Sequence, residues 1–224
     1  MIRIVIWLGF LFPGMVGAQT YHSVLSNVMA KKDSLAEVYR QGDSLIKEAV
    51  VQQVETLLYD ELIEHVFPQW YGTEWDYEGY TNTPKQGKVA CGYFVSTPLK
   101  HIGFQVNRYK LAQKYSHAIV QTLCSNIQYI RRNDTEKLFS YIQSGPNQLY
   151  VVGLDNHVGF ISREATGIYF IHSSYIDPVA VVKERAQSSQ ALISSDLFVL
   201  GHFSKNTELL KKWLLGENIV IKTD

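Results

Sequence analysis

The sequence predicts an α+β protein in which N-terminal helices pack on an antiparallel β-sheet. Amphipathic helical patterns occupy the segment that follows residue 19, and short strand patterns separated by turn residues follow one another from residue 149. Helices followed by a meander of strands are typical of this class. With 224 residues and 46% hydrophobic side chains, the chain is long enough to bury one sizeable core.

The first 18 residues have the pattern of a secretory signal. Arg3 precedes the apolar run "IVIWLGFLFPGMV", and the small residues at 16–18 form a cleavage site. The run is short for a bilayer span and contains Pro13, so a retained membrane anchor is the weaker interpretation. We therefore expect a mature protein that begins near Gln19 and is periplasmic or extracellular, with no stable membrane anchor.

The charge balance names no macromolecular partner. Lys plus Arg equal Asp plus Glu at 21 each, so no overall field draws the chain to nucleic acid or to an anionic membrane. The chain has only two cysteines, Cys91 and Cys124. In an exported protein this composition leaves a disulfide and two free thiols equally open.

Apolar residues at helical spacing predict helices over residues 21–41 and 43–67, with a break at residues 42–44. We assign residues 19–66 to an N-terminal helical segment and residues 67–224 to the main domain. From Pro68 to Gly87 the chain is rich in Trp, Tyr and Gly, which predicts a long ordered loop. Such aromatic loops often form the wall of a cleft, although packing over the edge of the core is equally open from the sequence.

A helix is predicted to begin at Cys91, because that residue shares one helical face with a set of apolar positions, namely Phe94, Val95, Pro98, Leu99 and Ile102. Pro98 is expected to kink this helix or end it early. A thiol at a helix N-terminus is expected to have a lowered pKa, which favours a nucleophile.

A second helix is predicted over residues 107–128, with Asn107 as its cap and Cys124 late on it. Its expected buried stripe is Leu111, Tyr115, Ile119 and Leu123. Strands are predicted over residues 149–155, 157–162, 168–175, 196–204 and 218–223, with a helix over residues 206–216 before the last strand.

Two histidines are predicted to meet across a hairpin. If Ser162 and Gly167 flank the four-residue turn "REAT", His157 lies directly opposite His172. Directly opposed Cβ atoms lie about 4.5 to 5.5 Å apart, so the two imidazoles would be within hydrogen-bonding reach. The period of two places both rings on one face, together with Gly159 and Phe170.

A cysteine at a helix start, a strand histidine and a second polar residue on the next strand resemble the arrangement of papain-like cysteine hydrolases. More closely, "CGYFV", "HVGFI" and "FIHSS" make the chain similar to the NlpC-type branch of cell-wall peptidases, over about residues 85–175. The resemblance implies a papain-like core with Cys91 as nucleophile, His157 as general base and His172 as the residue that orients His157. It further implies an exported cysteine peptidase or amidase that needs no cofactor.

The substrate implied by the resemblance is the stem peptide of bacterial peptidoglycan, cleaved through a thioester. The chain departs from the usual Asp-Cys-Ser of that family, because Ala90 and Gly92 flank Cys91. A catalytic nucleophile cannot be locked in a disulfide, so this interpretation predicts that Cys91 and Cys124 are both free thiols.

The oxyanion hole is expected to use the backbone N–H of Cys91 and a second donor from the preceding loop. The candidates for that donor are Trp75, Tyr77 and Gln86, each of which could equally serve loop packing. Ser173 is a candidate substrate contact, although a serine at the end of a strand is often structural.

Two other classes of function remain open from the sequence. Asp155, His157 and His172 form a set of two histidines and one carboxylate that could hold a metal ion, with Cys91 as a fourth ligand. This set lacks the spacing of strong zinc motifs. The third possibility is an exported binding module without turnover, against which the retention of the cysteine and both histidines argues.

Overall fold

A computed structural model describes residues 20–223 of the chain; the predicted signal segment lies outside these residues. The first two predicted helices are present, and they pack against each other as a hairpin. Thr20 and Asp43 cap their N-termini by accepting hydrogen bonds from the backbone N–H of Ser23 and Ile46. The bounds are α1 (Tyr21–Gln41) and α2 (Ser44–Asp60), followed by a π-helical turn (Glu61–Val66) and α3 (Phe67–Trp70).

The cysteine helix, α4 (Cys91–His101), begins at the predicted residue. Pro98 does not end it early, because the helix continues for three residues beyond the proline. The single helix predicted over residues 107–128 is wrong: the chain forms α5 (Arg108–Ala112) and α6 (Ser116–Leu123) instead.

The break between these helices changes which residues are buried. Asn107 caps α5 as predicted, through a hydrogen bond from the Lys110 N–H. Tyr115, which was expected in the buried stripe, lies before α6 and is 73% exposed. Cys124 lies after the end of α6 rather than on a helix.

The sheet contains six antiparallel strands in the order β1-β6-β2-β3-β4-β5, which confirms the predicted antiparallel α+β class. The strands are β1 (Ser125–Arg131), β2 (Gln148–Gly153), β3 (Val158–Glu164), β4 (Gly167–Ser173), β5 (Val181–Arg185) and β6 (Leu197–His202).

Several further elements differ from the prediction. β1 and β5 and the helix α7 (Thr135–Ser144) were not predicted, and residues 218–223 form no strand beyond one isolated bridge at Asn218. The remaining helices are α8 (Gln190–Ile193) and α9 (Thr207–Leu215), the second of which confirms the helix predicted over residues 206–216.

The sheet separates two hydrophobic clusters. On one face, residues such as Val151, Phe160 and Ile171 pack with the side chains of α1 to α6 in one continuous cluster. On the other face, alternate residues such as Ile161 and Phe170 pack against α7 and α8. The N-terminal helices thus share a core with the sheet.

The aromatic loop between α3 and α4 is ordered by backbone contacts. Glu74 pairs with both Lys88 and Ala180, and Tyr80 pairs with Val89. These bridges bring the loop beside the start of β5 and lead it directly into the N-terminus of α4.

Candidate active site

Cys91 is the first residue of α4, and its position is set by the aromatic loop. The preceding residue, Ala90, is extended and donates its N–H to the carbonyl of Gly79. The Ala90 carbonyl then accepts the Phe94 N–H as the first hydrogen bond of the helix. The thiol consequently lies where the first N–H groups of a helix have no partner within the helix.

Backbone N–H groups surround the Cys91 sulfur. It accepts from the N–H of Val158, at the start of β3, and from the N–H groups of Gly92 and of Cys91 itself. These contacts favour the thiolate, but burial of the thiol outweighs them and raises the pKa of Cys91. The expected lowering of the pKa by the helix N-terminus is therefore wrong for the resting thiol, and a base is needed to deprotonate it.

The two predicted histidines are in contact. His157 Nε2 lies 2.8 Å from His172 Nδ1, and both side chains are buried. The His172 ring also stacks on Phe170, with a centroid separation of 4.0 Å, and the Tyr175 ring lies edge-on to His157 at 5.2 Å. Packing on several sides therefore holds both imidazoles in one orientation.

The contact is formed by a different register from the one predicted. Glu164 pairs with Gly167, so the turn has two residues rather than four, and Phe160 lies opposite Ile171. In this register His157 is displaced by two residues from direct opposition to His172, and the rings meet diagonally. Because a shift of two residues keeps every side chain on its face, the predicted pairing was wrong but the predicted contact was correct.

Glu184 extends the histidine pair. Its Oε1 lies 2.9 Å from His172 Nε2 and also accepts a hydrogen bond of 2.6 Å from the Ser189 hydroxyl. Glu184 lies opposite Phe170 in the pairing of β4 with β5, and so it reaches His172 by a second diagonal contact. Sequence reasoning missed this residue because it did not predict β5.

The charge states of this row follow from burial and hydrogen bonding. Burial holds the pKa of His157 well below its ordinary value and also lowers that of His172. The hydrogen bond from His172 lowers the pKa of Glu184. At neutral pH the row therefore consists of two neutral imidazoles and one carboxylate.

Cys91 and His157 open onto the same cleft, which has a volume of about 490 Å³. Aromatic side chains form much of its wall: Trp75, Tyr77, Tyr93, Tyr115 and Tyr175. The aromatic loop contributes the first two, and their position agrees with the expectation that this loop walls a cleft.

The structure brings together some of the predicted site residues and separates others. Cys91, His157, Trp75 and Tyr77 line the cleft, and His172 lies behind His157. Gln86 is exposed in the turn at residues 83–86 and does not line the cleft. Ser173, the candidate substrate contact, does not line the cleft: its hydroxyl is buried and donates to the Val89 carbonyl at 2.7 Å.

The geometry does not favour the metal alternative. Asp155 lines the cleft, but its carboxylate accepts hydrogen bonds from the Ser195 hydroxyl at 3.1 Å and from the Asp196 N–H at 2.6 Å. Both ring nitrogens of His172 are engaged by His157 and Glu184. Among residues 20–223, no three His, Cys, Asp or Glu side chains are grouped to hold a metal ion.

Cys91 and Cys124 are both free thiols in the structure, as the hydrolase interpretation required. Cys124 is buried against the strands, and this burial strongly raises its pKa. Cys124 is therefore not suited to act as a nucleophile. Within residues 20–223, none of the helices has the length and apolar character needed to cross a membrane.

Comparisons of the chain with protein-family models, curated proteins and solved structures found no match.

Proposed function

We propose that this chain is an exported cysteine hydrolase with a papain-like core of the NlpC type, which cleaves amide or peptide bonds. The observation that supports it best is the shared cleft of Cys91 and His157, with His172 hydrogen-bonded behind His157. The contact of the Val158 N–H with the Cys91 sulfur supports the same pairing, because Val158 directly follows His157.

In the proposed reaction, His157 takes the thiol proton on Nδ1, the ring nitrogen that His172 does not engage. The sulfur forms a bond to the substrate carbonyl carbon, and the resulting oxyanion accepts hydrogen bonds from the Cys91 N–H and from Trp75 or Tyr77. The C–N bond then breaks, and the leaving amine takes the proton from His157. His157 next removes a proton from water, which attacks the thioester and releases the acid and the thiol.

The proposed substrate is the stem peptide of bacterial peptidoglycan. The motifs "CGYFV", "HVGFI" and "FIHSS" support it, since they are similar to those of cell-wall peptidases. The aromatic walls of the cleft can pack against the apolar parts of such a peptide.

The experiment that tests the proposal is digestion of purified peptidoglycan followed by mass analysis of the released fragments. Cys91→Ala and His157→Ala should each remove nearly all turnover, and the double variant should be little worse, because groups that act as a unit are not additive. Cys124→Ala is the matched control and should keep its activity, since Cys124 lies outside the cleft. Full activity of Cys91→Ala would overturn the proposal.

A substrate-independent measurement separates an error in the substrate from an error in the mechanism. Alkylation of Cys91 by iodoacetamide should slow markedly in His157→Ala, because the thiolate then loses its imidazolium partner. His172→Asn should be milder than His172→Ala, since an amide oxygen still accepts a hydrogen bond from His157. Equal alkylation rates in all variants would contradict the assigned roles even if the substrate were correct.

A further inference from the structure

A histidine in the orienting position can adopt either of two tautomers. A neutral imidazole has one donor nitrogen and one acceptor nitrogen, and either assignment is chemically possible. His172 contacts His157 through Nδ1. If that nitrogen carried the proton, His157 would have to accept on Nε2 and would hold its own proton on Nδ1. His157 Nδ1 would then be protonated and could not take the thiol proton, and the lone pair on Nε2 would be occupied by His172.

Glu184 removes this ambiguity. Its Oε1 accepts a hydrogen bond from the Ser189 hydroxyl, so the same oxygen faces His172 Nε2 as an acceptor. An ionised carboxylate cannot donate, and His172 must therefore carry its proton on Nε2. His172 Nδ1 is then the acceptor and His157 Nε2 the donor. Only one order of protons satisfies both contacts, and it leaves His157 Nδ1 unprotonated.

From this geometry we propose that Glu184 is a positioning residue, which through His172 sets the tautomer of His157 that can deprotonate Cys91. The inference rests on the proposed function for its catalytic meaning. Glu184 does not line the cleft, and it sets the tautomer through its hydrogen bond to His172.

Glu184 also supplies a charge. When His157 gains the thiol proton, the row becomes an imidazolium, a neutral imidazole and a carboxylate in line. The neighbours of Glu184 in β5 do not neutralise that carboxylate, because Lys183 and Arg185 lie on the opposite face, where Lys183 pairs with Glu164 and both cover Tyr169. The other carboxylate near the histidines, Asp155, is hydrogen-bonded to Ser195 and Asp196 and to neither histidine. The negative charge of Glu184 therefore favours the thiolate–imidazolium pair.

Two substitutions separate the tautomeric effect from the charge effect. In Glu184→Gln the amide oxygen can accept from both Ser189 and His172, so the proton order is kept while the charge is lost. In Glu184→Leu the acceptor is lost as well. Glu164→Gln is the matched control, because it removes a carboxylate of strand β3 that bonds to Ser162 and Lys183 and to neither histidine.

The first readout is the tautomer of each histidine in the free protein, measured by long-range ¹H–¹⁵N correlation spectra of ¹⁵N-histidine-labelled samples. The wild-type chain, Glu164→Gln and Glu184→Gln should show both His157 and His172 protonated on Nε2. Glu184→Leu should show a mixture of tautomers. An unchanged single tautomer in Glu184→Leu, or Nδ1 protonation of His157 in the wild-type chain, would overturn the inference.

The second readout is the pH profile of Cys91 alkylation by iodoacetamide. Loss of the Glu184 charge should move the profile of Glu184→Gln to higher pH by about one unit, or about tenfold in rate at a fixed pH on the rising limb. Glu164→Gln should not move it. Glu184→Gln keeps the test decisive if Glu184→Leu does not fold, because an unshifted profile in Glu184→Gln contradicts the charge effect.

The third readout tests whether Glu184 acts through His172. In the His172→Asn background the orienting group has no tautomer to choose and only the charge effect remains, so adding Glu184→Leu should slow alkylation no more than adding Glu184→Gln, within about twofold. A difference between these two variants as large as in the wild-type background would indicate a merely structural role. These measurements use no peptidoglycan, so failure of the proposed substrate leaves them interpretable. A Cys91-dependent peptidase with unchanged tautomers would refute this inference alone.

Discussion

Gly159 is the position at which a single methyl group should disturb the histidine pair without touching either ring chemically. Gly159 lies in β3 on the face of His157 and His172, and its φ is outside the left-handed region. An alanine Cβ there would meet Phe170 Cε2 at 2.6 Å and His172 Cβ at 2.8 Å. The effect of Gly159→Ala is therefore steric, and it displaces His172, the residue that orients the proposed base His157.

The size of the effect follows from these distances. His172 must move by about 0.6 Å to reach an ordinary contact of 3.4 Å, and a movement away from His157 would stretch their 2.8 Å hydrogen bond to about 3.4 Å. That length lies outside the range of about 2.7 to 3.2 Å for such bonds. We expect the alkylation rate of Cys91 to fall on the order of tenfold, since a misplacement of about 1 Å can cost a hundredfold.

The stability of the protein should fall as well. Overpacking of a tight core costs about 1 to 3 kcal/mol in the free energy of unfolding, which urea denaturation measures. Gly201→Ala is the matched control: its added methyl meets Cys124 and Val120, which lie away from the histidines. It should lose comparable stability but keep its alkylation rate. If Gly159→Ala lost stability and yet alkylated at the wild-type rate, the histidine pair would not govern the thiol.

Three further predictions concern the thiols, acid stability and the N-terminus. Under native conditions iodoacetamide should modify Cys91 much faster than the buried Cys124, and both should react after unfolding under non-reducing conditions; intact mass would reveal a disulfide as an unreactive pair. His157 and His172 have lowered pKa values in the folded chain, so the stability that they contribute should be complete above their unfolded pKa of about 6.5 and decline as the pH falls below it. Urea midpoints measured from about pH 7.5 to 5 should show this decline, and a smaller slope in His157→Gln would assign it to the pair; a flat profile in the wild-type chain would contradict it. N-terminal sequencing of protein exported by its native host should begin near Gln19, whereas an intact N-terminus on cytoplasmic protein would refute the proposed signal.

Local signals were sufficient for several parts of this protein. Apolar periodicity and the break at residues 42–44 predicted the first two helices. The face shared by Cys91 and the apolar positions after it predicted the start of α4. Alternating patterns predicted β3 and β4 and placed His157 and His172 on one face. These features depend on residues within a few positions of one another, which is why the sequence alone contains them.

Features that depend on distant residues could not be predicted in this way. The strand β5 reads "VVKER", and nothing in five mostly polar residues shows that Glu184 will pair beside Phe170 and meet His172. The register of β3 and β4 depended on which residues form the turn, and patterning allows any even shift because side chains keep their face.

Burial decided the chemistry of the remaining candidates. The sequence around Ser173 does not show that its hydroxyl donates a hydrogen bond to the carbonyl of Val89, 84 positions away along the chain. Nor does a helix N-terminus reveal that burial outweighs its N–H groups and raises the pKa of Cys91. The sequence determined which chemical groups this protein has and which face each occupies; the tertiary structure decided which are desolvated and which hydrogen-bond partners remain, because both depend on packing between segments that are far apart in the chain.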